Sequence, residues 1–345
     1  MSDQARGPLT ATEQLKKATE LLLAGEVVAM PTETVYGLAA RIDSDSAIKK
    51  IFSTKERPFF DPLIVHVSSI EQAQTCVSEW NEVTNLLAEN FWPGPLTLVL
   101  PKSSIISDVI TSGLPSVGLR WPLHALAQQL IKEVNVPLAA PSANKFGRTS
   151  PTKAEHVYEE FGDSVFILKA SAGEVGIEST VLSVKKINSE YQLAILRKGA
   201  VLQSQIVEVL KKTNFKYQFN ENVDKKESPG HMKHHYMPSV PLVICRNDKI
   251  KLSELSQLLT EKLHQLPNEV EGVKIVKPTG AINKIEFLKL PDKPEQAARE
   301  LYAQLRSVSQ RKPDAICFIQ SSKHSEEMWE SLFDRLYKAA SLILD

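Results

Sequence analysis

The chain has 345 residues, 42% of them hydrophobic and 24% charged, which is the composition of a globular protein and a length that suits two domains. Lysine plus arginine and aspartate plus glutamate both total 41, so no overall positive field holds nucleic acid, and any contact with RNA would be local or indirect. No apolar run approaches the roughly 18 residues that span a membrane, and no signal-peptide core is present, which predicts a cytoplasmic protein without a membrane contact.

Helical and strand patterns alternate along the first part of the chain. Helices are predicted over 12–24, 44–52, 70–91 and 124–133. Residues 32–38 are predicted as a polar loop or strand edge. Strands are predicted over 27–30, 63–67, 96–100, 117–119, 136–140, 181–184 and 192–196. This alternation predicts an α/β domain with a twisted mixed sheet over residues 12–205.

A polar stretch then separates this domain from a second one. It is rich in Lys, Asn and Glu and contains Pro229-Gly230, which predicts a linker over residues 206–240. Beyond it, strands are predicted over 242–245, 273–276 and 315–319, alternating with helices that begin at Leu252, Glu295 and Glu326. Residues 241–345 are therefore predicted to form a smaller α/β domain.

Four polar clusters in the first domain suggest one anion and nucleotide pocket. They are Lys55-Glu56-Arg57-Pro58, Arg120, Pro141-Ser142-Ala143-Asn144 and Glu178-Ser179-Thr180. Lys55 and Arg57 suit a strand or extended loop in which both side chains point to one face and hold a polyphosphate. The Ser142 hydroxyl and the Asn144 amide follow a strand, at the edge where open α/β sheets place their ligands.

Each cluster also has an ordinary structural interpretation. Lys55 and Arg57 would then be a solvated pair at a helix end, and Ser142 and Asn144 would cap a turn. The linker histidines, His231, His234 and His235, have no Cys or carboxylate at ligand spacing, so no metal site of protein side chains is predicted. The coincidence of several such clusters at strand ends favours the pocket.

These motifs resemble the YrdC-like threonylcarbamoyl-adenylate synthases over residues 12–205. They are Pro31-Thr32-Glu33-Thr34-Val35-Tyr36-Gly37-Leu38, Lys55-x-Arg57-Pro58, Trp92-Pro93-Gly94-Pro95-Leu96-Thr97, Pro141-Ser142-Ala143-Asn144 and Glu178-Ser179-Thr180-Val181. Pro229-Gly230 with His235-Tyr236-x-Pro238 resembles the linker of the longer two-domain form. Residues 241–345 resemble its Rossmann-like accessory domain.

The resemblance implies that L-threonine, bicarbonate and ATP, with Mg²⁺ accompanying the ATP, give threonylcarbamoyl-AMP and pyrophosphate. That product is the activated intermediate for threonylcarbamoyladenosine, a modified base of tRNAs that read codons beginning with A. A tRNA threonylcarbamoyl transferase would receive it. The alternative is a module that binds RNA or nucleotide in the same basic concavity without catalysis, because one fold hosts several functions.

The resemblance also assigns expected roles to individual residues. The catalytic tetrad around the nucleotide would be Lys55, Arg57, Ser142 and Asn144. Further contacts with ATP would come from Asp61, Ser116, Ser150, Arg197 and, from the linker, Tyr236. Threonine would be held by Thr34, His66, Arg120, the backbone at Ala140, and Ser179. Asp61 stands where the family often has Asn, and Tyr236 is expected to act as part of a lid.

Overall fold

The first domain is built on one large mixed sheet. The computed structural model describes residues 9–220, 234–246, 252–270, 273–278, 280–321 and 323–345, and over these the sheet has ten strands in the order β10-β9-β8-β4-β5-β3-β6-β2-β1-β7. The strands are β1 (Val28–Met30), β2 (Gly37–Arg41), β3 (Ile64–His66), β4 (Leu96–Pro101), β5 (Ser116–Arg120), β6 (Leu138–Ala139), β7 (Phe166–Ile167), β8 (Thr180–Ile187), β9 (Glu190–Arg197) and β10 (Tyr217–Phe219). The predicted α/β mixed sheet is confirmed.

Helices cover both faces of this sheet. They are α1 (Ala11–Leu23), α2 (Asp45–Lys55), α3 (Ile70–Thr75), α4 (Glu82–Phe91), α5 (Asp108–Thr111), α6 (Ala125–Val134), α7 (Ala154–Phe161) and α8 (Gln203–Lys211). Strand β2 shows why two layers are needed, because Leu38 and Ala40 pack in one core cluster and Ala39 packs in another. Successive strand residues point to opposite faces, and both faces here are buried.

Two predicted elements differ from the structure. The single helix predicted over 70–91 is two helices, since Cys76 ends α3 and the Asn81 side chain accepts a hydrogen bond from the Thr84 amide to start α4. Most of β2 lies beyond the predicted loop or strand edge, and its first residues, Gly37 and Leu38, belong to that polar segment. A strand that begins inside a polar segment is hard to predict, because the polar residues mask the pattern of the residues that follow.

The first sheet continues past residue 205. Helix α8 contains that residue and packs Ile206 and Leu210 into the core of the first domain. Strand β10 then pairs in parallel with β9. The predicted boundary therefore falls inside a helix, and residues 206–219, predicted as linker, pack with the first domain.

The second domain has a parallel sheet with helices packed against it. Its strand order is β14-β15-β11-β16, and a separate hairpin joins β12 to β13. The elements are β11 (Leu242–Cys245), α9 (Leu252–His264), β12 (Glu269–Val270), β13 (Val273–Lys274), β14 (Ile285–Phe287), α10 (Pro294–Gln310), β15 (Ala315–Ile319), α11 (Glu327–Ala339) and β16 (Leu342–Leu344). The predicted smaller α/β domain is confirmed.

Close backbone contacts join the two domains. Gly176 has φ +80°, and a Cβ placed on it would lie 2.3 Å from the Cα of Arg299 on α10. The Arg299 Nε donates to the carbonyl of Glu174 over 2.8 Å. A residue without a side chain is therefore needed where the loop before β8 meets α10. No helix of the described part of the chain is long and apolar enough to cross a membrane.

Candidate active site

One cavity brings together most of the predicted site residues. Among its lining residues are Thr34, Arg57, His66, Arg120, Ala140, Ser142, Ser179, Arg197 and Tyr236. The chain segments that carry them are up to 202 residues apart, counted from Thr34 to Tyr236. The predicted convergence of the polar clusters is thus a property of the structure.

The cavity lies over the face of the sheet instead of its carboxyl edge. Ile64 and His66 on β3 both line it, whereas Val65 between them packs in the core on the other face. Strand β3 is parallel to β5 but antiparallel to β6, so the strand ends do not meet at one edge. The expected sheet-edge site was wrong, because that rule holds for parallel sheets.

Lys55 and Arg57 do not share a face. Lys55 is the last residue of α2, and Glu56 adopts φ 53°, which turns the chain by a left-handed residue. The Lys55 ammonium is fully buried and donates to the carbonyls of Ser142 and Asn144. Arg57 lines the cavity. The prediction of an extended segment was wrong, and Lys55 supports the Ser142 loop from behind.

Arg57 is paired with the unusual aspartate of the sequence. Its Nη2 lies 2.8 Å from Oδ2 of Asp61, and it also donates to the carbonyl of Pro62 over 2.9 Å. Both side chains of the ion pair are buried. Burial lowers the pKa of Arg57, and the negative charge of Asp61 opposes that shift. Asp61 therefore orients Arg57 and does not itself line the cavity.

Arg120 is held in a similar way. Its Nη2 donates to Oε1 of Glu33 over 2.8 Å and to the Thr34 hydroxyl over 2.9 Å, and its Nε donates to the Gly94 carbonyl over 3.3 Å. The second oxygen of Glu33 accepts from the Leu123 amide over 3.0 Å. These contacts fix the guanidinium while leaving its Nη1 without a hydrogen-bond partner in the described ranges.

Ser179, just before β8, is held by side chains of the two strands beside β8, Thr97 on β4 and Arg197 on β9. Its hydroxyl lies 2.8 Å from that of Thr97 and accepts from Nη2 of Arg197 over 3.0 Å. Arg197 also donates twice to the Ser179 carbonyl, over 3.1 and 3.0 Å. Arg197 thereby fixes both the backbone and the side chain of Ser179.

Besides Lys55 and Asp61, three further predicted residues, Asn144, Ser150 and Ser116, lie outside the cavity lining. The Asn144 amide donates to the carbonyls of Lys145 and Arg148 over 2.7 and 2.8 Å, which holds the loop that carries Ser142. The Ser150 hydroxyl donates to Glu178 over 2.7 Å. Ser116 lines a separate small cavity beside β5. None of these three side chains lines the cavity itself.

Tyr236 closes the cavity from the linker side. It is almost fully buried and has φ 65°, a conformation that is uncommon outside glycine and clusters at functional sites. The neighbouring amides anchor it, since His235 donates to the Lys338 carbonyl over 2.9 Å and Met237 donates to the Gly147 carbonyl over 2.8 Å. The remaining cavity is only about 50 Å³.

The imidazole of His66 is uncharged at neutral pH. Burial, and then the positive charge of Arg120, lower the pKa of His66 from 6.5 to about 3. Its Nδ1 is buried without a hydrogen-bond partner in the described part of the chain. A neutral ring with a free nitrogen can accept a hydrogen bond from a ligand.

The low pKa of His66 predicts a loss of stability in acid. The unfolded chain takes up a proton below pH 6.5 while the folded chain does not until about pH 3, so stability falls as the pH drops through that window. Between pH 6.5 and 5, the free energy of unfolding is expected to fall by about 2 kcal/mol less in the His66→Asn variant than in the parent. Urea unfolding at the two pH values measures this, and equal losses in both proteins would contradict it.

The sequence contains a group of histidines in the linker, which raises the question of whether potential metal ligands cluster in the described residues. They contain no group of three or more His, Cys, Asp or Glu residues placed to hold a metal. The acidic groups around the cavity are already in ion pairs, Glu33 with Arg120, Asp61 with Arg57 and Glu178 with Arg335. His231, from the predicted histidine group, lies outside the described residues.

Several contributors escaped the sequence analysis. Glu33 and Thr97 lie inside motifs already quoted from the sequence, so their place in the motif could have identified them as site residues. Tyr302 and Arg335 come from α10 and α11 of the second domain and reach the carboxylate of Glu178. No local pattern marks those two, because their partners are more than a hundred residues away.

Family models match both parts of the chain. The Sua5/YciO/YrdC model, described as "Telomere recombination", matches residues 20–199. A second model, described as "Threonylcarbamoyl-AMP synthase, C-terminal domain", matches residues 201–341. The fold and site thus define a two-domain protein of the YrdC-like class.

Individual relatives narrow this class. A threonylcarbamoyl-AMP synthase of Pyrococcus abyssi is 35% identical over 330 residues, 95% of this chain and 94% of the relative, and one of Bacillus subtilis is 36% identical over 336 residues, 96% and 94% of the two chains. The crystal structure of P. abyssi Sua5 complexed with L-threonine has a TM-score of 0.79 and 31% identity, covering 99% of this chain and 98% of that one. The chain belongs to the threonylcarbamoyl-AMP synthase family.

Proposed function

We propose that this chain is an L-threonylcarbamoyladenylate synthase, a nucleotidyltransferase that converts L-threonine, bicarbonate and ATP into threonylcarbamoyl-AMP and pyrophosphate. The observation that carries the proposal is a single cavity in which two of the three buried lining guanidinium groups, Arg57 and Arg120, are each paired with a carboxylate of their own, while the third, Arg197, holds Ser179. A triphosphate and an amino acid carboxylate are the two anions of this reaction. Two separate cationic positions suit them.

The nucleotide is assigned to the side of Arg57. Arg57 contacts the phosphates directly, and Ser142 and Tyr236 border the same space. Lys55 and Asn144 act by shaping the loop around Ser142, and Asp61 by orienting Arg57. Arg197 supports the part of the cavity wall that Ser179 forms. Ser116 and Ser150 are the assigned ATP positions that need a change of conformation to touch it, because neither lines the cavity.

Threonine is assigned to the side of Arg120. The free Nη1 of Arg120 binds an oxygen of the carboxylate, while Glu33 keeps the guanidinium in place. The hydroxyls of Thr34 and Ser179, the Nδ1 of His66 and the backbone at Ala140 surround the rest of the amino acid. These groups form hydrogen bonds with an amine and a hydroxyl, which is the polar content of threonine.

The reaction proceeds without a protein nucleophile in this assignment. The threonine amine and bicarbonate form a carbamate with loss of water, and a carbamate oxygen attacks the α-phosphorus of ATP. The bond between the α-phosphorus and the oxygen that bridges it to the β-phosphorus breaks, and pyrophosphate leaves. Arg57 stabilises the charge on the phosphates, and positioning of the reactants supplies the remaining catalysis. Mg²⁺ enters as part of the MgATP substrate, since the nearby carboxylates are already paired.

The segment around Tyr236 acts as a lid. The cavity of about 50 Å³ is far smaller than the roughly 300–1,000 Å³ of ligand pockets, so this segment moves aside before ATP enters. When it returns, Tyr236 excludes water from a labile carbamate and mixed anhydride. We assign catalysis to the first domain, extended to residue 219, and lid function to the segment before residue 241.

The product requires a partner. A mixed anhydride of a carbamate and AMP hydrolyses in water, so a tRNA threonylcarbamoyl transferase that takes it up directly completes the modification of tRNA. The net charge of zero gives no general attraction to tRNA. Contact between this chain and tRNA is therefore weak or indirect, and the activity is assigned to the cytoplasm.

The proposal predicts that pyrophosphate release needs all three substrates. Purified protein with MgATP, L-threonine and bicarbonate is expected to release pyrophosphate and form threonylcarbamoyl-AMP, both followed by coupled assay and mass spectrometry. Reactions that omit one substrate serve as controls. Release without threonine, or no release with all three present, would favour the nucleotide- or RNA-binding module instead.

A further inference from the structure

Two side chains of the second domain reach into the wall of the cavity. Arg335 on α11 and Tyr302 on α10 are both fully buried. The Arg335 Nε donates to Oε2 of Glu178 over 3.1 Å, and the Tyr302 hydroxyl lies 2.8 Å from the same oxygen. Ser150 of the first domain donates to the other oxygen over 2.7 Å. The second domain thus supplies two of the three groups that hold Glu178.

Arg335 also contacts the segment that follows β9, next to Arg197. Its Nη1 donates to the carbonyl of Lys198, next to Arg197, and to the Ser331 carbonyl over 3.1 Å. The Ser331 hydroxyl donates to the Gly199 carbonyl over 2.9 Å. Helix α11 therefore contacts both the entry to β8 and the exit from β9.

The same two side chains form the surface beneath the lid residue. The ring of Tyr302 lies 5.7 Å from that of Tyr236, centroid to centroid. The guanidinium of Arg335 lies 5.9 Å from the centroid of the Tyr236 ring, within the range of a cation–π contact. One pair of residues thus touches both the cavity wall and the lid.

The charges explain why Glu178 needs these partners. Burial alone would raise the pKa of Glu178, but Arg335, and then Arg197, lower it. If Arg335 were absent, the buried carboxylate would lose its closest cation and attract Arg197 instead. Arg197 would then leave Ser179, whose hydroxyl and carbonyl it now holds.

We infer that Arg335 and Tyr302 are positioning residues of the synthase site, which keep Arg197 on Ser179 by holding Glu178 and which form the seat for Tyr236. This gives the second domain a part in substrate binding that acts through Glu178 and Tyr236. The inference rests on the proposed function for its kinetic readout. It also makes a prediction about lid mobility that needs no activity.

The test compares two variants and one control in the full chain. Tyr302→Phe removes one hydroxyl from Glu178, and Arg335→Met removes the buried cation. Glu330→Gln is the matched control, because Glu330 also lies on α11 and pairs across the domain interface with Lys198, but on the exposed surface. Kinetic constants are measured for threonine and ATP, and amide hydrogen exchange is followed over residues 234–240.

Tyr302→Phe is expected to lower kcat/KM for threonine about tenfold and Arg335→Met about a hundredfold, in line with lost hydrogen bonds to a charged group. The rate of amide hydrogen exchange over residues 234–240 is expected to rise in Tyr302→Phe and in Arg335→Met. Helix α10 is expected to keep the parent rate in Tyr302→Phe. In Glu330→Gln, every segment is expected to keep the parent rate. Variants with parent kcat/KM and parent exchange over 234–240 would overturn the inference, as would a uniform rise over both domains in Tyr302→Phe. An inactive parent would refute the proposed function, and the exchange data would still decide the inference.

Discussion

Arg57→Ala is expected to weaken the binding of ATP about a hundredfold and the binding of threonine less than about threefold, because a charge-assisted hydrogen bond contributes roughly 1.5–3 kcal/mol. Arg57 lines the cavity, and its ion pair with Asp61 fixes its direction. Arg120 occupies a separate position with its own carboxylate, so the threonine side keeps its cation. Calorimetry with a non-hydrolysable ATP analogue and with threonine measures the two affinities.

A second substitution separates binding from stability. Arg57→Ala alone leaves Asp61 buried without a counter-charge, which costs about 3–5 kcal/mol of stability. The double variant Arg57→Ala with Asp61→Asn removes that charge and is expected to regain most of the stability but none of the affinity for ATP. If the double variant bound ATP as tightly as the parent, or lost both ligands equally, the assignment of Arg57 to the nucleotide would be refuted.

The sequence predicted which residues converge, but not on which surface. Ser142, Arg120 and Ser179 were found because each follows or precedes a recognisable strand, and strand patterns survive in a single sequence. The direction of each strand relative to its neighbour is not encoded in that pattern. The antiparallel pairing of β3 with β6 therefore moved the site from the sheet edge to the sheet face.

Local geometry explains the failure at Lys55. The sequence Lys-Glu-Arg-Pro is compatible with an extended segment and with a helix end, and the choice depends on Glu56 adopting a left-handed conformation. That conformation is strained for a residue with a side chain, and here it closes the C-terminus of α2, where the Arg57 amide donates to the Phe52 carbonyl over 2.9 Å and the Lys55 ammonium is held by the Ser142 loop. Single-residue backbone states of this kind depend on the finished fold.

The contacts between domains were beyond sequence reasoning for a different reason. Tyr302 and Arg335 lie on ordinary amphipathic helices, where a tyrosine and an arginine usually reach solvent. Their burial depends on how α10 and α11 dock against residues 174–178, a contact in which Gly176 leaves no room for a side chain. Only the assembled structure shows that two core residues of one domain contact the carboxylate of Glu178, which lines the cavity of the other.

Arg120→Lys is expected to raise the KM for threonine about thirtyfold with little change in the KM for ATP. Lysine keeps the positive charge that Glu33 needs, yet it lacks the planar fork that binds Glu33, Thr34 and a carboxylate at once. Thermal stability is expected to fall only slightly, in contrast to Arg120→Ala, which leaves Glu33 buried and unpaired. Steady-state kinetics with each substrate varied in turn measure the two KM values.

Arg41→Lys is the matched control for this experiment. Arg41 lies in the same sheet and forms a bidentate pair with Asp43, but it is partly exposed and does not line the cavity. The same chemical change there is expected to leave both KM values unaltered, because a surface ion pair contributes little. A rise in the KM for ATP in Arg120→Lys that matched the rise for threonine would mean that Arg120 and Arg57 serve one ligand. The division of the cavity into a nucleotide side and an amino acid side would then be wrong, and the two carboxylates, Glu33 and Asp61, would be orienting a single polyphosphate site.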